Sequence, residues 1–147
     1  MDIKKAANSL VKKFGTRDPF RLCDELGYVI VRVPLRGVRG FFQRMERCSV
    51  IYVDDSLSEQ DAAFVCAHEL GHSQLHRGNN RLFMDKHTLF VTSRFEIQAD
   101  KFAVDLLYDD WELYHLLSQP IKTVADSLGI DIPLATYRME SIEPTFF

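Results

Sequence analysis

His68-Glu69-Leu70-Gly71-His72 forms an HExxH pattern. On a helix the two histidines, four residues apart, project from one face about one turn apart, so both imidazoles can reach a single ion. Zinc accepts neutral imidazole nitrogen at ~2.0–2.1 Å, and in catalytic sites it takes three protein ligands and leaves a fourth position for water. Glu69 stands about 100° round the helix from His68. Its carboxylate therefore reaches that water rather than the ion, and its expected role is general base. His68 and His72 share their helical face with Phe64, Val65 and Leu75. Two inward imidazoles without a common partner would leave polar groups unsatisfied at roughly 1–3 kcal/mol each. Gly71 in mid-helix costs about 1 kcal/mol relative to Ala, which predicts that another group approaches the backbone there.

A third ligand must come from elsewhere. His76 extends the run to HExxHxxxH, but eight residues of helix put it ~12 Å along the axis from His68, too far for one ion. It is expected at the helix C-terminus, where a partly protonated imidazole suits the dipole. The glycine and spacing of HExxHxxGxxH are missing, which argues against a metzincin. Glu96 and Asp100 lie at i and i+4 in Ser93-Arg94-Phe95-Glu96-Ile97-Gln98-Ala99-Asp100, on the side that also carries Ala99, Ala103 and Leu107. Carboxylates bordering an apolar face need partners. Zinc and histidine would supply them, with Glu96 as direct ligand and Asp100 fixing the N–H of a bound imidazole, that of His68. Ser93-x-x-Glu96 is also a capping-box pattern, so a purely structural role for Glu96 stays open.

The elements that position these residues follow from periodicity. Ile3, Ala6, Ala7, Leu10, Val11 and Phe14 recur at helical spacing, with Gly15 as a stop. A short helix is expected from Asp18-Pro19 to Gly27. Three β-prone segments follow, Tyr28–Val33, Gly40–Arg44 and Ser49–Val53, which predict a small, largely antiparallel sheet. Ser58 and Asp61 resemble a capping box opening a helix to about His76. Residues 78–92 read as a loop, and helices are expected at about Ser93–Leu107, 110–117, 120–128 and 133–142. The fold class is α+β in a single domain, 1–147: helices and sheet to residue 57, site helices over 58–107, and a helical segment over 108–147.

Composition narrows the function. With 46% hydrophobic and 12% aromatic residues in 147, the chain can bury one core, which excludes disorder as a default. The N-terminal stretch carries lysines without an unbroken apolar run, and no run approaches the ~18 residues of a membrane span, so a soluble cytoplasmic protein is expected. Cys23, Cys48 and Cys66 are odd in number and widely spaced, which fits reduced, buried thiols better than a disulfide framework. Residues 1–47 carry eleven Lys/Arg against five Asp/Glu. Without a basic run or interleaved aromatics this reads as a solvated face. Val124–Ile130 followed by Pro133–Met139 has helix-turn-helix-like spacing. Residues 118–147, however, hold Lys122 and Arg138 against Asp126, Asp131, Glu140 and Glu143, the wrong sign for a phosphate-binding surface.

From about Pro19 to Leu107 the sequence resembles the ImmA/IrrE family of metallo-endopeptidases of phages, integrative elements and bacterial stress regulators. The resemblance rests on PFRLCDELGYVIV, Gly40-Phe41-Phe42, Ile51-Tyr52-Val53-Asp54, AHELGHSQLH and Glu96-x-x-Ala99-Asp100-x-Phe102-Ala103-x-x-Leu106-Leu107. It implies a zincin-like site with zinc on His68, His72 and Glu96 and with Glu69 catalytic. It also implies a regulatory substrate, a helix-turn-helix repressor of the same mobile element, in a bacterial host. Relatives often continue LL with Met-Pro; here Tyr108-Asp109-Asp110-Trp111 follows.

The expected reaction is peptide hydrolysis without a covalent intermediate, with Glu69 carrying the proton from water to the leaving amine. An extended substrate would add to an edge of the 28–53 sheet. A second oxyanion donor could come from His87 or Tyr108, each with an ordinary loop or packing role as its alternative. The competing function is a non-catalytic, zinc-stabilised antirepressor that sequesters the repressor without cutting it.

Overall fold

A computed structural model describes residues 1–76 and 89–143, in two compact units that divide after Leu107. The first unit begins with α1 (Ile3–Phe14), capped by the Asp2 carboxylate on the Lys5 amide at 3.0 Å and ended by Gly15 at φ 72°. In α2 (Pro19–Glu25) Asp18 caps the Phe20 amide and Pro19 takes the first turn, where its missing N–H is not needed.

Three strands follow, β1 (Val29–Val33), β2 (Gly40–Met45) and β3 (Cys48–Asp54), in spatial order β1-β3-β2. A two-residue turn, Glu46-Arg47, makes β2 and β3 antiparallel, with Met45 opposite Cys48. β1 and β3 run parallel, from Val29 beside Val50 to Val33 beside Asp54. The sheet is therefore mixed, which corrects the expectation of a largely antiparallel one. Period-two alternation marks a strand but does not say which neighbour it takes. Here β2 lies outside β3, and β3 returns to run alongside β1.

Ile51 and Val53 of the central strand are fully buried against α3 (Glu59–Leu75). Ser58 caps that helix, accepting from the Asp61 amide at 3.2 Å. Its buried positions, Ala62, Val65 to Ala67 and Glu69 to Ser73, run round the whole helix rather than along one stripe. α3 is thus a central element, packed on α2, β2, β3 and a long helix, α4 (Leu89–Leu107). α4 starts about one turn before the expected Ser93. Phe90, Val91 and Thr92 have modest helix propensity, which hides that start in the sequence. A methyl group on Gly71 would stand 3.1 Å from the Cβ and Cδ1 of Phe102 in α4, the close approach that a mid-helix glycine implies.

The core joins Ala7, Leu22, Ile51, Leu70, Phe102 and Leu106. Cys23 and Cys66 are free thiols within it, their Sγ atoms 3.8 Å apart. The mutual contact, then burial, pushes the Cys66 thiol well above its ordinary range. At the C-terminal end of α4 the Arg17 guanidinium donates to the Asp105 and Leu106 carbonyls at 3.1 and 3.0 Å, satisfying groups that the helix end leaves open.

The second unit holds α5 (Asp110–Tyr114), α6 (Ile121–Leu128) and α7 (Ile132–Glu140). Asp109 and Glu112 form a reciprocal capping box, and Asp131 caps α7. Leu113, Val124, Leu128, Ala135 and Met139 make its core, with Tyr108 packed against it. A buried ion pair joins Arg138 to Asp110 at 2.8 Å. Among the described residues no helix is long and apolar enough to cross a membrane.

Candidate metal centre

α3 presents His68, Glu69 and His72 toward α4, with the His68 and His72 ring centroids 4.8 Å apart and nearly perpendicular. Potential ligand atoms of these three residues lie within 4.8 Å of one another. α4 brings two carboxylates to the same place. Glu96 Oε2 is 3.0 Å from His68 Nε2, and Glu96 Oε1 is 2.6 Å from His72 Nε2. Asp100 Oδ1 takes the other side of the first imidazole, 2.7 Å from His68 Nδ1.

This donor set fits a divalent metal. Tetrahedral coordination at ~2.0–2.1 Å puts ligand atoms roughly 3.4 Å apart, and the Glu96 oxygens stand slightly inside that separation from both Nε2 atoms. Two imidazoles and one carboxylate are a zinc-type combination. Glu96 meets both imidazoles, whereas Glu69 Oε2 comes no nearer to His68 Nε2 than 3.8 Å, beside the cluster. Ser93 lies inside α4 rather than at its start, so the geometry of a capping box for Glu96 is lost. The helix-capping role for Glu96 falls with it.

The electrostatics follow from the same contacts. Burial acts to depress the His68 pKa, but hydrogen bonds to Asp100 and Glu96, with the nearby Glu69 charge, outweigh it and raise it to about 10. Burial works in the opposite sense on Glu96, where the His68 and His72 hydrogen bonds win and hold its carboxyl well below the usual range. Glu69 is raised, chiefly by burial, with the two histidines opposing. A carboxylate made more basic in this way is suited to accept a proton.

Beside the cluster a cleft of about 300 Å³ is lined by Arg39, Gly40, Phe64, His68, Glu69 and Glu96, among others. Gly40 opens the edge strand β2. A side chain there would collide with Val65 on α3 and approach the Tyr52 carbonyl oxygen to 2.7 Å, so the glycine keeps the edge against the helix. Arg39, paired with Asp61 at 3.6 Å, is the cation of this rim.

His68, Glu69, His72, Glu96 and Asp100 are thus together in space. Tyr108 belongs to the second unit, where it packs on the Leu113 cluster and its carbonyl accepts from Arg138 at 2.8 Å. His87 lies outside the described residues. His76 departs from expectation. It is the C-cap residue of α3, but its side chain is 1% exposed, and burial lowers its pKa against the opposing Gln98 hydrogen bond. Burial thus works against the partly protonated imidazole expected at the helix end. Its Nδ1 is 3.0 Å from His72 Nδ1 and its Nε2 2.8 Å from Gln98 Oε1. The sequence reading missed Gln98 and the Arg39-Gly40 rim. The signal for His76 was its i+4 spacing from His72; a lone glutamine on a polar-rich helix gives none.

Residues 20–139 match the IrrE N-terminal-like domain of the M78 peptidases. The chain is 37% identical over 110 residues to "Uncharacterized immunity region protein 2" of Bacillus phage phi105, covering 74% of this chain and 70% of that protein. It is 30% identical, also over 110 residues, to "Metallopeptidase ImmA" of Bacillus subtilis (strain 168), covering 74% of this chain and 64% of that protein. With a family match over most of its length and a His-Glu-His cluster at the junction of α3 and α4, the chain belongs to the M78 family of metallopeptidases.

Proposed function

We propose that this protein is a zinc-dependent endopeptidase that cleaves a regulatory protein, a helix-turn-helix repressor of a phage or mobile element, in the cytoplasm of a bacterial host. His68, His72 and Glu96 hold the zinc, Glu69 is the general base and Asp100 orients His68. One observation carries the reading: two imidazole Nε2 atoms from α3 and a carboxylate from α4 converge, with the buried Glu69 carboxylate beside them and not among them. The phage immunity-region relative and ImmA support the regulatory substrate class.

Bound zinc would polarise the scissile carbonyl and acidify a water. Glu69, made more basic by burial, takes the proton of the attacking water and passes it to the leaving amine. Asp100 accepts the Nδ1 proton of His68, fixing the tautomer that turns Nε2 toward the site. The cleft runs to β2, an edge of the sheet, and an extended substrate segment adds there by backbone pairing, with the glycine at position 40 leaving room beside α3.

The test is co-expression with the repressor encoded beside the gene. Wild type should cleave it. Glu69→Gln should retain zinc and fold but cut nothing, and Glu96→Ala should lose zinc. Relief of repression that survives Glu69→Gln would replace the peptidase by a zinc-stabilised antirepressor that acts by binding. Full zinc occupancy in Glu96→Ala would remove Glu96 from the ligand set.

A further inference from the structure

The cleft beside the metal centre carries three carboxylates, Glu69, Glu96 and Asp100. Among its described lining residues, Arg39 is the one side chain besides His68 that can hold positive charge. Arg39 stands at the bend just before β2. Its carbonyl accepts from the Asp54 amide at 2.8 Å, which ties its main chain to the sheet while its side chain pairs with Asp61 on α3. In an antiparallel ladder successive residues turn their amide groups to opposite sides. The N–H and C=O of Gly40 therefore face the free edge of β2, next to Arg39.

We propose that Arg39 is a specificity-determining residue, selecting substrates that carry an acidic side chain about three residues from the bond that is cut. This rests on the reading above that the protein is an endopeptidase with Glu69 as general base. Asp61, Val65 and Glu69 follow one another at one-turn intervals along α3. Arg39 meets Asp61, and Gly40 packs so closely on Val65 that a side chain there would collide with it. The edge of the sheet thus follows α3 from Asp61 toward Glu69. Eight residues of helix span ~12 Å, which an extended chain covers in three to four residues at ~3.3 Å each. A substrate paired at Gly40 with its scissile bond at Glu69 accordingly passes Arg39 at that distance.

The present partner of Arg39 does not bar this role. The two side chains are 56% and 45% exposed and 3.6 Å apart, a solvated pair that contributes little to stability and is weakened by salt. Among the described residues the Arg39 guanidinium has no other ion pair. Its planar fork is shaped to grip a carboxylate through two parallel N–H bonds, which the loose contact with Asp61 does not supply. A substrate carboxylate that makes them displaces Asp61. Nearer the metal centre, Glu69, Glu96 and Asp100 repel an acidic side chain, and the apolar lining of Val38 and Phe64 does not discriminate charge. Attraction for a substrate acid is therefore concentrated at Arg39.

The experiment incubates the zinc-loaded full chain with a mixed-sequence peptide library, blocked at both ends so that side chains are the only variable charge, and maps the cuts by mass spectrometry. Peptides with Asp, Asn or Lys at the selected position then give kcat/KM. Wild type should favour Asp over Asn on the order of tenfold, about three residues from the cut, and should disfavour Lys. High salt should shrink the preference. Arg39→Gln should bring the Asp-to-Asn ratio near one, and Arg39→Glu should invert the preference toward Lys, which a merely structural role would not do. Asp61→Asn removes the competing charge and keeps the amide that Ser58 caps; the ratio should rise a few-fold. A wild-type profile without an acidic preference, or one that persists in Arg39→Glu, would overturn the assignment. If the library is left uncut, the peptidase reading fails, and fluorescence anisotropy of the Asp- and Lys-bearing peptides decides on Arg39 separately. Tighter binding of the acidic peptides, reversed by Arg39→Glu, keeps it as the recognition residue; equal binding removes it.

Discussion

Gly71→Ala sets two effects of opposite sign against each other at the contact between the site helices. Replacing a mid-helix glycine by alanine favours the helix by about 1 kcal/mol. Against this, the new methyl would stand 3.1 Å from Phe102 Cβ and Cδ1 and 3.2 Å from Cγ, where carbon atoms settle at roughly 3.5–4.0 Å. Phe102 is fully buried, and its Cβ rides on the α4 backbone, so no rotamer change relieves that contact. The helices must part by a few tenths of an ångström. Overpacking of this kind costs about 1–3 kcal/mol, and the net expectation is a loss of about 1 kcal/mol, a fall in Tm of roughly 3 °C for a chain of this size. The same displacement separates His68 and His72 from Glu96. In the zinc site proposed above, the ion would have to draw the helices back together, so its affinity should drop on the order of tenfold, the equivalent of about 1.4 kcal/mol. Urea unfolding with and without zinc, together with chelator competition, measures both. A variant about 1 kcal/mol more stable than wild type, with unchanged zinc affinity, would refute the reasoning.

Asp110→Ala should cost about 3–5 kcal/mol in the unit from residue 108 onward, because it strands the fully buried Arg138 charge; hydrogen exchange should show α5–α7 deprotected, and full protection would contradict this. The Asp54 carboxylate accepts from the Leu35 amide at 2.9 Å and from the Ser56 hydroxyl, and these bonds lower its pKa below 3.8. A depressed folded pKa stabilises above the unfolded value and loses that contribution as pH falls through the folded one. An NMR titration of Asp54 should accordingly have a midpoint below 3.8, and one at or above it would reject the clasp. Of the three free thiols, Cys48 is half-buried while Cys23 and Cys66 are sealed in the core. A thiol reagent should therefore label Cys48 in the native chain and the other two only after unfolding, with rapid native labelling at Cys66 as the contrary result.

Local chemistry made much of this architecture readable. Asp18 and Ser58 each cap a helix and Gly15 ends one, where the sequence placed those boundaries, because capping is a property of a few adjacent residues. The same holds for HExxH, whose geometry is one turn of helix. Strand order was not readable, since β2 and β3 alternate alike whichever neighbour they choose. The start of α4 was obscured by residues of indifferent propensity. Convergence of Glu96 on His68 and His72 needed the pattern Glu96-x-x-x-Asp100 on an apolar face as well as HExxH. The His76–Gln98 contact was beyond reach. It joins residues 22 positions apart in sequence through the packing of two helices, and neither residue type advertises a partner.

The donors differ in how firmly they are embedded. The His68 and His72 side chains are 13% and 5% exposed on a helix buried round its whole circumference, whereas the Glu96 side chain is 46% exposed at the rim. For the ion proposed here, this asymmetry separates affinity from exchange. The imidazoles cannot leave without disturbing the core, so arrival and departure are governed by rotation of one partly solvated carboxylate, a motion far faster than helix displacement. A chelator would gain access from that side. Ion turnover would then be quick without displacement of either helix.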